Sequence, residues 1–248
     1  MAVEYGLQHD RTMIELHTMV PAYGLPTFTP FGLKLIAYLH LTNIPFRMVE
    51  EVNPNHGPKG KFPWLVDGSH VVADSDFVVR HLIAHHGANL DAGMTDVQRA
   101  HAHALRRMVE ESLCFCILYF RWVDTATYRL ATDVALGALP SLVRTCVRPL
   151  VRRRILRDLR GQGISRHSGE EVAELGRADL HALAEQLGEQ DYLFGATPRL
   201  VDASAAAFLA VLLYPPFDNP LKRQAQQLSN LVAYAERMRC LCFETLAS

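Results

Sequence analysis

The chain has 248 residues, of which 49% are hydrophobic and 21% are charged, and its formal net charge is −1. This length and composition are typical of a globular protein with one large domain or two small ones, and they exclude intrinsic disorder. The near-neutral charge argues against nucleic acid as a partner, because proteins that bind nucleic acid usually carry a basic excess.

No targeting segment and no membrane span are expected. The first 13 residues contain two acids and no apolar run, unlike a secretory signal peptide. The charge-free stretch 203–217 is shorter than the roughly 20 residues of a membrane span, so it predicts a buried helix. The five cysteines are odd in number and include no C-x-x-C pair, which favours reduced core thiols in a cytoplasmic protein over disulfides or metal ligands.

The first 88 residues alternate strand and helix patterns. The predicted elements are a strand at 13–20, a helix at 30–41, a strand at 45–52, a hairpin at 64–73 and a helix at 74–86. Thr29 followed by Pro30 is a standard helix start, and Asp67–Gly68 supplies the hairpin turn. Asp74 begins the polar group that caps the last of these helices.

Residues 87–93 form a seam, which is the predicted boundary between two parts of the chain. After it, every hydrophobic pattern is helical. The predicted helices cover 95–127, 139–160, 168–187, 202–213 and 222–243. Gly176 is expected to interrupt the third of them, because glycine is a poor helix former. This order of elements is that of an α/β thioredoxin-like domain followed by an all-α domain.

Four segments, taken in order, resemble the glutathione transferase family. They are TPFGLKL at 29–35, PKGKFP at 58–63, Asp74–Ser75, and GQGISRHSGEE at 161–171. The resemblance spans almost the whole chain and indicates the branch that includes the failed-axon-connections proteins, the cadmium-responsive proteins and the metaxins. It implies a glutathione-binding domain at 1–88 and a helical domain at 94–248 that forms the wall of the acceptor site.

The same resemblance implies a glutathione site in the first domain. It implies a cis bond before Pro63, which would expose the backbone of Phe62 to an extended peptide such as glutathione. Asp74 suits the γ-glutamyl ammonium group, and Ser75 at a helix start suits the carboxylate. Three basic residues are candidates to neutralise the glycine carboxylate: Lys61, Lys59 and His56. The alternatives are that Pro63 only ends a loop and that Asp74 or Ser75 only caps a helix.

Thr29 is the first candidate for stabilising the glutathione thiolate. Related glutaredoxins place a C-P-x-C dithiol where this chain has Thr29-Pro30-Phe31-Gly32, so dithiol exchange is excluded here. A hydrogen bond from the Thr29 hydroxyl to the thiolate would contribute about 1.5 to 3 kcal/mol and lower the thiol pKa. Tyr23 and Thr27 are competing donors, and the alternative is that Thr29 only caps its helix.

Phe115, Tyr119 and Trp122 recur at helical spacing and share one predicted helix face. They form either the acceptor pocket for a small hydrophobic substrate or part of the core. Asp202 resembles the aspartate of the family's buried capping box and is expected to be structural, although Arg199 replaces the usual Ser or Thr.

The segment 144–160 contains seven arginines and one acid. It is either a solvated, salt-bridged helix face or a peripheral contact with an anionic membrane surface. The histidines at 81, 85 and 86 lack a glutamate at the H-E-x-x-H position, so they predict no metal site.

Together these features predict a glutathione-dependent transferase that acts in detoxification. Glutathione would be its co-substrate, a small hydrophobic electrophile the acceptor, and no metal would take part. The alternative is a non-catalytic binding or adaptor protein that keeps the fold, as the metaxins do. Because relatives commonly dimerise, we also expect a homodimer.

Overall fold

A four-stranded sheet and two helices occupy residues 14–86 of the computed structural model, which describes residues 13–137 and 139–244 apart from the side chains of residues 125 and 126. The elements are β1 (Ile14–Thr18), α1 (Pro30–Leu41), β2 (Phe46–Glu50), β3 (Trp64–Asp67), β4 (His70–Ala73) and α2 (Ser75–His86). The strand order is β2-β1-β3-β4, with β1 parallel to β2 and antiparallel to β3. The predicted order of elements is confirmed. Residues 1–12, on which the expectation of no signal peptide rests, lie outside the described part.

Beyond residue 93, the regular elements that the structure describes are all helices. They are α3 (Asp96–Arg107), α4 (Cys114–Trp122), α5 (Thr125–Ala135), α6 (Ser141–Gln162), α7 (Gly169–Leu187), α8 (Leu200–Leu213), α9 (Pro220–Gln227) and α10 (Ser229–Cys242). The thioredoxin-like α/β part and the helical part are therefore confirmed. The division at 88 and 94 stays a prediction, since α1 packs against α8 across it.

Helix α8 is buried along nearly its whole length, as the charge-free stretch that begins at residue 203 predicts. Burial of α8 between the sheet-bearing half and the other helices explains why it needs no polar face. Among the described residues, no helix combines the length and apolarity that crossing a bilayer requires.

The helix predicted over 95–127 is not continuous. Helix α3 passes into a π-helical segment at Met108–Leu113, and α4 then ends at Trp122. Asp124 starts α5, because its carboxylate accepts the backbone N–H of Thr127 at 2.8 Å. A π-helical turn holds more residues than an α-helical turn, so it rotates the faces of α4 relative to those of α3.

Two further expectations for the last helices are wrong. Gly176 does not interrupt α7; a Cβ at this position would lie 2.7 Å from Leu221 Cδ1, so glycine lets α9 approach closely. The helix predicted at 222–243 is divided into α9 and α10, with Leu228 between them outside the helical conformation. Asn230 Nδ2 donates to Ala184 O at 2.9 Å and thereby fixes the start of α10 on α7.

Asp202 has the structural role that the sequence predicts. Its buried carboxylate accepts hydrogen bonds from the Arg199 N–H at 2.8 Å and from the Tyr234 hydroxyl at 2.9 Å. The guanidinium of Arg199, where the family pattern has Ser or Thr, donates instead to the carbonyls of Leu90 and Ala92. The departure from the family pattern therefore ties α8 to the seam between the two halves.

All five cysteines are unpaired thiols, as expected. Cys114, Cys116 and Cys242 are buried, but Cys146 and Cys240 are exposed. The expectation that all five lie in the core is therefore wrong for these last two.

Candidate functional site

A cleft of about 700 Å³ lies between the sheet-bearing half and the helices α4 and α6. Small-molecule sites in proteins commonly occupy roughly 300–1,000 Å³, so the cleft is of suitable size. The structure brings together in its walls five of the residues that the sequence predicts to hold glutathione: Lys61, Phe62, Pro63, Asp74 and Ser75.

The loop before β3 forms one wall of this cleft. The peptide bond between Phe62 and Pro63 is cis, as the resemblance implies. Within the described residues, no hydrogen bond engages the backbone N–H or C=O of Phe62. These groups are therefore available to pair with an extended peptide.

Basic side chains lie at the edge of the same wall. Lys59 and Lys61 line the cleft, and Lys59 Nζ lies 4.3 Å from the centre of a phenyl ring of α2. Arg80, which the sequence analysis did not single out, also lines the cleft. His56 does not, since its Nδ1 pairs with Glu51 Oε2 at 3.0 Å. The carboxylate-binding candidates on the structure are therefore the two lysines and Arg80.

The N-terminus of α2 forms the second polar wall. Asp74 is exposed, has a positive φ of 82°, and caps α2 by accepting the Asp76 N–H at 3.0 Å. Ser75 is buried apart from its cleft-facing part, and its Oγ accepts a hydrogen bond from Lys34 Nζ at 3.1 Å. The Ser75 hydroxyl proton is thus free to be donated to an anion at this helix start.

A buried charge network lies beneath α2. The ammonium of Lys34, which is fully buried in α1, lies 2.7 Å from Asp76 Oδ1 and 2.7 Å from Glu110 Oε1. Arg106 bonds the same two carboxylates, and Ser204 Oγ donates to Glu110 Oε1 at 2.6 Å. Two cations and two carboxylates therefore compensate each other, which is the condition for burying charges.

The network controls the ionisation of Asp76. Burial opposes ionisation, but the neighbouring Lys34 and Arg106 outweigh it and lower the pKa of Asp76 to about 2. The carboxylate therefore stays ionised at the edge of the cleft. Sequence reasoning missed Lys34, although a single lysine inside the apolar run FGLKLIAYL is the signal that could have found it.

The π-helical segment brings further charged groups to the cleft. Arg107 precedes it, and its Nη1 lies 3.9 Å from Asp76 Oδ2 and 3.8 Å from Glu110 Oε2. Glu111 pairs with Arg107 and lines the cleft beside it. π-helical turns occur frequently at functional sites, which is consistent with this placement.

The three predicted thiolate donors lie in different environments. Thr29 is half-buried, two residues before cleft-lining Phe31, and its side chain makes no capping hydrogen bond to α1. Thr27 is fully buried and its hydroxyl pairs with that of Thr18 at 3.0 Å. Thr29 is thus the N-cap residue of α1 without a side-chain capping hydrogen bond, and Thr27 is buried away from the cleft.

Tyr23 also lies away from the cleft. Its ring packs against Phe28 and Phe217, and its hydroxyl donates to Leu130 O at 3.4 Å. Burial raises the pKa of Tyr23. None of the three candidates, Tyr23, Thr27 and Thr29, is therefore among the residues that line this cleft; Thr29 is the nearest to it in sequence, two residues before Phe31.

The apolar wall differs from the predicted one. Phe115 lines the cleft with Phe31, Leu118 and residues of α6. Trp122 is buried in the core, and Tyr119 lines a separate groove of about 360 Å³ with residues of α5 and α9. Phe115 and Leu118 are the apolar residues of α4 at the cleft, whereas Tyr119 and Trp122 lie farther along the helix toward its C-terminal end.

Cys114 is the one cysteine that lines the cleft. Burial raises the pKa of its thiol to about 12. Because the thiolate is the reactive form, Cys114 is unsuited to act as a nucleophile at neutral pH.

Two family sequence models match the chain. One is described as the glutathione S-transferase N-terminal domain and matches residues 30–127. The other is described as the glutathione S-transferase C-terminal domain and matches residues 176–238. Together they include α1, the loop before β3 and the start of α2, which hold the predicted glutathione residues.

Similar proteins cover almost the whole chain. The isoprene-epoxide glutathione S-transferase of Rhodococcus sp. (strain AD45) is 33% identical over 92% of this chain and 98% of its own length. Failed axon connections of Drosophila melanogaster is 29% identical over 94% of this chain and 59% of its length. Metaxin-2 of Homo sapiens is 27% identical over 86% of this chain and 82% of its length.

Solved structures share the fold. FzlA from C. crescentus has a TM-score of 0.64 at 18% identity and covers 95% of this chain and 92% of its own. A glutathione S-transferase from Methylobacterium radiotolerans in complex with glutathione sulfonate has a TM-score of 0.57 at 17% identity, with coverage of 92% and 91%.

Proposed function

The chain belongs to the glutathione S-transferase family, and from this we propose that it is a glutathione-dependent transferase. In this proposal the cleft holds glutathione as co-substrate and presents its thiolate to a small hydrophobic electrophile. The observation that carries the proposal is the convergence of the Phe62–Pro63 backbone, the Asp74–Ser75 helix start and the basic loop in one cleft with an apolar wall.

Glutathione has three charged groups, of which two meet the N-terminus of α2 and one meets the basic loop. The γ-glutamyl carboxylate accepts from the Ser75 hydroxyl and the free N–H groups of α2, while its ammonium pairs with Asp74. The cysteinyl backbone pairs with the backbone of Phe62. The glycine carboxylate reaches Lys59 or Lys61.

The thiol is then directed at the first turn of α1. The helix N-terminus and the unengaged Thr29 hydroxyl both favour a thiolate there over a neutral thiol. The acceptor occupies the apolar wall formed by Phe31, Phe115 and Leu118. Holding the thiolate against the acceptor in a fixed orientation supplies much of the rate enhancement.

An epoxide is the electrophile class supported by a relative, the 33% identical isoprene-epoxide glutathione S-transferase. In this reaction the thiolate sulfur attacks an epoxide carbon, so a C–S bond forms as the C–O bond breaks. The oxygen stays on the neighbouring carbon as an alkoxide and takes a proton from water. The single product is a thioether with a hydroxyl group on the adjacent carbon.

A non-catalytic binding protein is the second candidate, and one observation favours it. Thr29 itself is not among the cleft-lining residues, so a bound thiol would lie nearer to Phe31 than to the proposed donor. Such a protein would bind glutathione without lowering its thiol pKa.

Product formation distinguishes the two candidates. The purified chain is incubated with glutathione and styrene oxide, and the thioether is measured against the uncatalysed rate. A rate above background that is lost in Ser75→Ala, and kept in the matched helix-cap variant Ser168→Ala, supports the transferase. Glutathione binding without product from styrene oxide or from 1-chloro-2,4-dinitrobenzene supports the binding protein.

A peripheral membrane contact is also proposed, on the exposed face of α6. Arg144 and Arg148 pair with Asp133, so that side of the helix is salt-bridged. The outer face combines exposed apolar residues with arginines, a pattern that suits an anionic lipid surface. These residues are Leu142, Val143, Leu150, Arg153, Arg154 and Arg157. Cosedimentation with phosphatidylserine vesicles but not with phosphatidylcholine vesicles is expected, and equal pelleting with both would contradict it.

Three further properties complete the proposal: a cytoplasmic location, a homodimer and a role in detoxification. Analytical ultracentrifugation tests the dimer, which should sediment at twice the mass of the 27.8 kDa chain. Cell fractionation tests the location. Sensitivity of a deletion strain to epoxides tests the role.

A further inference from the structure

A second group of functional side chains lies outside the cleft, between the end of β3 and the C-terminal half of α2. Asp67 Oδ2 accepts hydrogen bonds from His81 Nε2 at 2.8 Å and from His86 Nε2 at 2.7 Å. The three candidate ligand atoms all lie within 4.8 Å of one another. None of these residues lines the cleft, so glutathione binding does not account for them.

Two more histidines border this group. The ring of His85 stacks on that of His81 with centroids 4.3 Å apart, and the ring of His70 lies 5.4 Å from His81 and 5.3 Å from His85. We call Asp67, His70, His81, His85 and His86 the Asp–His cluster. One carboxylate and four imidazoles therefore share a small surface of the domain.

The fold explains why residues distant in sequence meet here. Asp67 and His70 face each other across the β3–β4 turn. His81 and His85 are one helical turn apart on α2, and His86 follows at the helix end. The C-terminal end of a helix carries a partial negative charge, which favours a cation at this position.

The donor set of the cluster suits a transition-metal ion. Imidazole nitrogen and carboxylate oxygen are both common ligands of such ions. The Asp67 oxygen and one ring nitrogen from each of His81 and His86 already lie within 4.8 Å of one another.

The distances also fit a small ion. Zinc binds imidazole nitrogen and carboxylate oxygen at about 2.0–2.2 Å, so neighbouring ligand atoms in a tetrahedral site lie roughly 3.3 Å apart. Moving the Asp67 oxygen and the two Nε2 atoms outward by about half an ångström would open this space. Rotation about side-chain bonds is enough, because all three side chains are partly exposed.

We propose that Asp67, His81 and His86 bind a divalent transition-metal ion with the ligand preference of zinc, with His85, His70 or water as the fourth ligand. The expectation of no metal site rested on the missing H-E-x-x-H glutamate. That motif describes two histidine ligands and a catalytic glutamate on one helix, whereas here the carboxylate ligand comes from the end of β3. The ion would cross-link the β3–β4 hairpin to the end of α2.

Zinc titration of the full chain tests this site. The protein is prepared without a polyhistidine tag, stripped with a chelator and titrated calorimetrically with zinc chloride. About one ion per chain is expected, with a rise in the melting temperature because the ion binds only the folded state. Asp67→Asn and His86→Gln should each weaken binding by about tenfold or more. Their circular dichroism spectra without metal show that they fold.

Two control variants locate the ion. His167→Gln removes an exposed histidine from another surface and should bind zinc as the parent does. Cys240→Ser disrupts the exposed group Glu236, Cys240 and Glu244, whose ligand atoms also lie within 4.8 Å of one another. Absence of stoichiometric binding would overturn the proposal. So would unchanged affinity in His86→Gln, or loss of binding in Cys240→Ser alone.

Cobalt provides a readout of coordination. Co²⁺ in a four-coordinate site of nitrogen and oxygen ligands absorbs visible light much more strongly than the aqueous ion. The parent chain should show this absorption and His81→Gln should lose it. If the spectrum with the parent chain matched that of aqueous Co²⁺, the result would contradict coordination of the ion by the protein.

Discussion

At the residue scale, Asp74 combines two tasks that a single substitution can separate. Its side chain caps α2, and its charge faces the cleft. Asparagine is an equally good cap and tolerates a positive φ, so Asp74→Asn removes only the charge.

We expect Asp74→Asn to bind glutathione about fivefold more weakly, because an exposed ion pair contributes up to roughly 1 kcal/mol. The free energy of unfolding should stay unchanged. Calorimetric titration and urea unfolding of parent and variant measure the two quantities. Parent-like affinity would place the γ-glutamyl ammonium elsewhere.

The proposed hydrogen bond from the Thr29 hydroxyl to the thiolate is tested by measuring the thiol pKa of bound glutathione. Thr29→Val keeps the shape of the side chain but loses the hydroxyl, so it should raise that pKa by about 1 to 2 units. Thr29→Ser should restore it. The pH dependence of thiolate absorbance in the complex is the measurement. An equal pKa in all three proteins would assign the stabilisation to the N-terminus of α1 alone.

At the element scale, the main error of the sequence reading concerns which part of a helix meets the cleft. The spacing of Phe115, Tyr119 and Trp122 correctly predicts one helix, which is α4. Only Phe115 of the three lines the cleft, while Tyr119 lines a separate groove and Trp122 is buried in the core. Helical periodicity gives the face that residues share but not how far along the helix a cleft extends, because that depends on the neighbouring helices.

Two glycines in helices provide a matched pair. A Cβ at Gly176 would lie 2.7 Å from Leu221 Cδ1, whereas a Cβ at Gly161 would meet nothing within 4 Å. Gly176→Ala should therefore destabilise the protein by about 1 to 3 kcal/mol through overpacking. Gly161→Ala should stabilise it by up to about 1 kcal/mol through helix propensity. Urea unfolding measures both, and equal effects would contradict the close α7–α9 packing.

At the scale of the whole molecule, the buried charge network joins the two halves. Lys34 and Asp76 belong to α1 and α2, while Glu110 and Ser204 belong to the helical part. The network therefore connects the α2 wall of the cleft to the helical part at the buried side of the cleft. This arrangement makes the stability of the entire chain sensitive to acid.

The pKa of Asp76 is about 2, below its ordinary value of 3.8. Its carboxylate therefore stabilises the folded state above about pH 4, and this contribution is lost as the pH falls toward 2. The stability advantage of the parent over Asp76→Asn should shrink over that range by an amount on the order of 2 kcal/mol. Urea unfolding at pH 5, 4, 3 and 2 follows it, with exposed Asp191→Asn as the control. If the difference in unfolding free energy between the parent and Asp76→Asn did not change with pH, the result would contradict the lowered pKa of Asp76.

Local sequence patterns predicted most helices and strands of the first 86 residues. They did not predict the side-chain contacts between residues that are distant in sequence. Strand alternation, proline and capping residues placed β1 to β4, α1 and α2, and the resemblance placed Ser75 and Pro63 in one cleft. Lys34 and Glu110 could not be paired in advance, because the contact depends on how two helices cross. Asp67 was likewise not linked to His81, since a turn, β4 and the first half of α2 lie between them.

The central claim, that the cleft binds glutathione at the start of α2, is tested most directly by calorimetric titration near neutral pH. The parent should bind, and Ser75→Ala should bind about tenfold or more weakly, because it loses a hydrogen bond to a charged group. Ser168→Ala should lose about 1 kcal/mol of stability but no affinity, since it only caps α7. No binding by the parent at millimolar glutathione, or equal binding by Ser75→Ala, would contradict the claim.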